Sequence, residues 1–154
     1  MEFQETCGML IKQLHDAVGR KLNNSLRESG LTNVQLGTLI ALEHAVNRRL
    51  RMKDLEKIFQ VSQPTIVGIV DRLKEKELVR TLRDPQDRRV RLVELTEDGL
   101  LKARHEHDVL VETESDMLGS LSETEQRELL RMLRTLRDNF CTHECPPEPS
   151  QSSA

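Results

Sequence analysis

The stretch from Ser62 to Thr96 constrains this chain most, because it dictates a helix followed by a basic hairpin. Ser62 is an N-cap residue and Pro64 falls in the first turn, where its missing N–H costs nothing. Ile66, Ile69, Val70 and Leu73 recur at i, i+3, i+4 and i+7, which buries one stripe of the helix. Gln63, Thr65, Gly68, Asp71 and Arg72 take the other face, short or polar enough to lie against a second surface. Leu78–Arg83 and Val90–Leu95 suit two strands, the second alternating Val90, Leu92 and Leu95 against Arg91 and Glu94 only imperfectly. Between them the turn-forming run from Arg83 to Arg89 carries Arg83, Arg88 and Arg89. A helix that hands over to a basic hairpin is the outline of a DNA reader with a wing.

Upstream, the spacing predicts a first helix from Thr6 to Ser29. Leu10, Leu14, Val18, Leu22 and Leu26 repeat every four residues, and Ile11 and Ala17 widen the stripe. Such a seam exceeds what one small globule needs and points to a partner chain. Gly30 is free to cap this helix with a positive φ. Thr32 and Gln35 have capping-box spacing, with Leu31 and Leu36 as the staple, and open a second helix to about Val46. Leu36, Leu39 and Ile40 begin its buried stripe, Glu43 interrupts it, and Leu42, Ala45 and Val46 resume it. Arg48-Arg49-Leu50-Arg51 reads as a basic connector, and Met52–Phe59 as a short third helix with Leu55, Ile58 and Phe59 inward. Gln60-Val61 makes the tight turn into the next helix, Gln63–Lys76, which completes a helix-turn-helix.

Downstream, Thr96 caps a fifth helix whose first turn holds Glu97 and Asp98, the sign its dipole favours. Leu100, Ala103, His107, Leu110, Val111, Met117 and Leu118 follow at broadly helical spacing, and Gly119 closes it. Ser122 and Glu125 form another capping box for a sixth helix lined by Leu129, Leu130, Leu133, Leu136 and Phe140. Residues 146–154, rich in Pro and Ser, are expected to be disordered.

Composition decides the class. Three Phe and no Trp or Tyr leave a core of Leu, Ile, Val and Met, which suits helices. No 18-residue apolar run or signal pattern occurs, so the expected location is the cytoplasm, with no membrane partner. The net charge of −3 hides a strong asymmetry. Residues 48–91 carry thirteen Lys and Arg against seven Asp and Glu, or +6, while the remainder carries −9. A basic module between acidic flanks is an electrostatic footprint for phosphates. Catalysis is not expected: there is no Gly-rich phosphate loop, no G-x-S-x-G and no H-E-x-x-H.

The run from Asp87 to Thr96, followed by Glu97-Asp98-Gly99, resembles the wing signature of MarR-type winged helix-turn-helix regulators. Leu73, Leu78-Val79-Arg80 and the chain length are similar to the same family. Gln60 in the turn and Glu77 at the helix end depart from its usual small residue and Gly; a left-handed Glu77 would cost about 1 kcal/mol. The resemblance implies a mainly α fold with a small β-hairpin wing. Residues 1–145 would then form one domain, with a winged helix-turn-helix core at about 32–96 and dimerisation helices at about 6–29 and 97–140. It further implies a sequence-specific transcriptional regulator that binds double-stranded DNA as a homodimer, a repressor released from a palindrome by a small organic effector. Leu10, Leu14, Val18, Leu129, Leu133 and Leu136 would line the dimer seam, though the stripes alone also suit a monomer core.

In that frame Gln63, Thr65 and Arg72 face base edges or nearby phosphates in the major groove. Arg88 or Arg89 reaches the minor groove; by resemblance Arg89 does so, and Asp87 holds the tip or is a plain turn residue. Ser62, Lys53, Lys74, Arg83 and Arg91 are expected on phosphates, positioning the protein without specifying sequence. The alternatives are a zinc- or redox-responsive regulator of the same fold, or a winged helix serving only protein contacts. A protein-binding wing has no need of Arg83, Arg88, Arg89 and Arg91 together. For zinc, the candidate ligands are His44, His105 and His107. The last two stand two apart on one helix and point in different directions, so surface histidines and no cofactor are expected. Cys7 is expected to be a buried inert thiol, and Cys141 and Cys145, flanking His143, to be free thiols.

Overall fold

The computed structural model describes residues 5–140, and its elements follow the predicted order with one strand added. Thr6 caps α1 (Cys7–Ser25), accepting from the Met9 amide. The helix stops four residues before the expected Ser29. Asn23 and Asn24 turn their side chains to local partners instead: Asn23 Oδ1 accepts from the Asn33 amide at 2.7 Å, and Asn24 Oδ1 from Arg27 at 3.1 Å. The chain then turns through Leu26 to Gly30, whose φ of 71° is the left-handed conformation foreseen for it. Cys7 is exposed within the chain, contrary to the buried thiol expected.

Thr32 and Gln35 form both bonds of their capping box at the start of α2 (Asn33–His44). Val46 lies beyond the helix and is 84% exposed, so it does not continue the apolar stripe. Glu43, the interruption in that stripe, accepts from Arg104 at 2.9 Å. The basic connector is a 3-10 turn (Val46–Arg48) leading into β1 (Arg49–Arg51). Then follow α3 (Met52–Phe59), α4 (Gln63–Glu75), β2 (Val79–Arg83) and β3 (Arg91–Leu95). The sheet is antiparallel in the order β1-β3-β2, with Arg49 opposite Glu94 and Arg80 opposite Glu94 on the other side.

Leucines from α2, α3 and α4 meet Val93 and Leu95 of the sheet and Leu100 of α5 (Glu97–Leu118) in one core. In β3 three successive residues, Val93, Glu94 and Leu95, are buried, which explains the poor alternation. The inward face of α5 is Leu100, Ala103, Glu106, Thr113 and Leu118; His107, Val111 and Met117, expected on it, are exposed. The apolar residues of α5 are spread over two faces, and packing on α1 and α2 selects only one. Ser122 and Glu125 cap α6 (Glu123–Phe140) reciprocally, yet α6 buries none of its residues within the described chain.

Candidate nucleic-acid interface

The wing loop is built by its own side chains. Asp84 Oδ1 accepts from the Gln86 amide at 2.9 Å, and the Val90 amide donates to the Asp87 carbonyl at 2.9 Å. Asp87 takes three bonds from Arg89: the backbone amide at 3.0 Å, Nε at 3.1 Å and Nη2 at 3.3 Å. The side-chain and backbone bonds from Arg89 hold the Asp87 carboxyl below its ordinary range. The Arg89 side chain is nevertheless 92% exposed, so the pair aims the guanidinium outward without enclosing it. Arg88 and Arg91 are also exposed. Arg83 donates to the Arg88 carbonyl at 3.1 Å and stands opposite Arg91 across the hairpin. Like charges in cross-strand register destabilise a hairpin, a cost a polyanion would remove.

The start of α4 presents Ser62, Gln63 and Thr65, all exposed. Ser62 makes no side-chain cap bond; its hydroxyl lies 2.9 Å from that of Thr65 instead. Thr65, Gly68 and Arg72 follow one exposed stripe, whereas Ile66, Val70 and Leu73 are buried on the opposite side. Lys74 lies nine residues beyond Thr65 and therefore projects about 180° from that stripe. It is exposed but not grouped with Thr65 and Arg72.

Between the wing, α3 and α4 runs a groove of about 440 Å³. Arg51, Lys53, Lys57, Arg89 and Arg91 line it with Asp54, Glu56 and Gln63. Elsewhere on the sheet, the Arg49 and Arg80 guanidiniums both reach the buried Glu94 carboxylate, a contact that spans the three strands. That clamp escaped the sequence reading, although a carboxylate inside the apolar run Val93-Glu94-Leu95 was a signal that something paired with it. The roles of Arg49 and Arg51 are not legible in the basic connector, because a three-residue strand is too short to show a period.

Among the described residues no three His, Cys, Asp or Glu come together to hold a metal. His44 on α2 and His105 and His107 on α5 are separate exposed side chains. Cys141, His143 and Cys145 lie outside the described residues, as does the tail at 146–154.

A sequence model of the MarR family matches residues 29–90. The chain is 33% identical over 136 residues to the HTH-type transcriptional repressor NicR of Pseudomonas putida, spanning 88% of this chain and 84% of that one. Bordetella bronchiseptica BpsR, solved in work on regulation of its DNA binding by 6-hydroxynicotinic acid, is similar at a TM-score of 0.79 and 27% identity. That match covers 90% of this chain and 97% of BpsR. A variant of MarR from Escherichia coli, complexed with operator DNA, is similar at a TM-score of 0.75 and 25% identity, covering 84% of this chain and 91% of its own.

Proposed function

The chain belongs to the MarR family of DNA-binding transcriptional regulators, and from that premise we propose that it is a homodimeric repressor released from a palindromic operator by a small organic anion. One observation carries this reading: the described residues combine an unpaired basic face with a helix, α6, whose apolar side is largely uncovered. Arg72, Arg83, Arg88 and Arg91 face solvent without a carboxylate partner among the described residues. Arg83, Arg88 and Arg91 share the hairpin with Arg89, which Asp87 holds outward. In the reading, Gln63, Thr65 and Arg72 meet the major groove and Arg89 the minor groove. Ser62, Lys53, Arg83, Arg88 and Arg91 hold phosphates, with Lys74 at the margin of the footprint.

The dimer follows from α6 and from the outer face of α1. Leu10, Leu14, Leu133 and Leu136 are exposed in the single chain, and Val18 and Leu129 are half-buried. One winged helix reads too few base pairs to be selective, whereas two related by a dyad read a palindrome. Residues 1–145 then act as one unit, with α1, α5 and α6 as the dimerisation layer. No helix is long and apolar enough to cross a membrane among the described residues, in keeping with a cytoplasmic regulator. The repressor NicR and the 6-hydroxynicotinic acid response of BpsR support repression and a hydroxylated aromatic acid as effector class.

A gel shift of the purified protein on DNA upstream of its own gene tests the reading. We expect a shift that competitor DNA does not remove and that 6-hydroxynicotinic acid, or a phenolic carboxylate, reverses. Arg89→Ala should weaken it by about tenfold or more with the dimer intact. Absence of a competitor-resistant shift would count against the regulator. A shift that no such acid reverses would remove the effector class alone.

A further inference from the structure

We propose that Arg51 is a DNA-contacting residue whose guanidinium takes a backbone phosphate in the groove between α3 and the wing, tying both reading elements to one strand. The proposal rests on the DNA-binding function above and adds a residue to it. Arg51 is the N-cap residue of α3, and its side chain makes no capping bond there. A guanidinium has no acceptor atom to offer the open amides of a helix start, and its charge opposes the positive end of the helix dipole. Asp54 in the first turn offsets only part of that. The helix therefore gains nothing from arginine at this position, and the reason for it lies elsewhere.

The neighbouring strands say where. Arg49 and Arg51 point to the same side of β1, two residues apart. Opposite Arg49 stands Glu94, which neutralises it; opposite Arg51 stands Leu92, which cannot. Arg51 is exposed and has no ion pair among the described residues. It lines the groove with Arg89 and Arg91 from the wing and Lys53 and Lys57 from α3, an excess of three positive charges over Asp54 and Glu56. Its charge also reaches Asp87, adding to the larger effect of Arg89 in depressing that carboxyl. In a helix-turn-helix the first helix crosses the DNA backbone. The start of α3 is thus where a phosphate arrives while α4 and the wing occupy the grooves.

Arg51→Ser and Arg51→Lys, compared with wild type on operator and on random duplex of equal length across a salt series, test this. Serine should weaken binding by a similar factor on both duplexes and lower the salt slope by about two per dimer, one for each protomer. It should also raise the melting temperature by a few degrees, because a serine oxygen can cap α3. Lysine should retain most of the slope. An unchanged slope in Arg51→Ser would overturn the proposal, as would a drop in melting temperature that accounts for the lost binding. If wild type shows no preference for any operator, the regulator reading fails, and the slope on random duplex still decides the role of Arg51.

Discussion

At the scale of single residues, Glu94 separates the arginines that hold the fold from those free to bind. Burial alone would raise its carboxyl; hydrogen bonds from Arg49 and Arg80 outweigh that and hold it below its ordinary 4.5. Those guanidiniums are 41% and 65% exposed, so water screens the clamp and its worth is modest, about 1 kcal/mol. A carboxyl depressed on folding contributes stability that is present above its unfolded value and lost as pH falls through its folded one. Glu94→Gln should therefore lose about 1 kcal/mol in denaturant titrations at neutral pH. The gap from wild type should close only as pH drops below 4.5. A gap that persists undiminished in acid would show that packing, not charge, holds the three strands.

At the scale of elements, two helices end in the same way without glycine. The Leu78 amide donates to the Leu73 carbonyl at 3.0 Å and the Glu77 amide to that of Lys74 at 2.9 Å. Val61 and Gln60 repeat the arrangement onto Glu56 and Lys57 at the end of α3. Each closure needs a left-handed residue, and Glu77 and Gln60 supply it at φ 60° and 50°. Glu77→Gly should raise stability by about 0.5–1 kcal/mol and leave operator affinity unchanged, read by melting and gel shift. Loss of stability instead would mean that the Glu77 side chain makes contacts worth more than the relieved strain. Glu77 was legible as a strained position from sequence, as were the Thr32 box and the limits of α3, because these signals act within about four residues. The strand β1 was not, since its partner β3 lies some forty residues on and three residues carry no period. The inward face of α5 was hidden for a related reason: Glu106 is buried with Lys102 beside it, and hydrophobicity alone favours His107 and Val111 no less. In the interface, the residue types of the α4 stripe and wing tip were readable. The Glu94 clamp, which silences Arg49 and Arg80, required the register.

At the scale of the molecule, the described chain is incomplete as a monomer. The 18-residue α6 is amphipathic, and a helix in a protein draws most of its stability from packing such a face. Among the described residues the apolar face of α6 is largely uncovered: Leu129 is half-buried, Leu130, Leu133 and Leu136 are exposed, and Phe140 is 91% exposed. Near the start of α6, Gln126 donates to the Leu118 and Leu121 carbonyls, at the turn from α5. Leu10, Ile11 and Leu14 on α1 are exposed likewise, at the other end of the sequence. Two copies that bring these faces together would cover both at once and set two basic reading faces on one duplex. Because Leu133 is exposed and lies outside the core cluster, Leu133→Asp should spare the winged-helix core and act on assembly. Light scattering should find a monomer, and operator affinity should fall by more than tenfold, since a half-site contact is all that remains. A variant that stays dimeric at the same concentrations would exclude α6 from the seam and leave α1 and the outer face of α5 to form it.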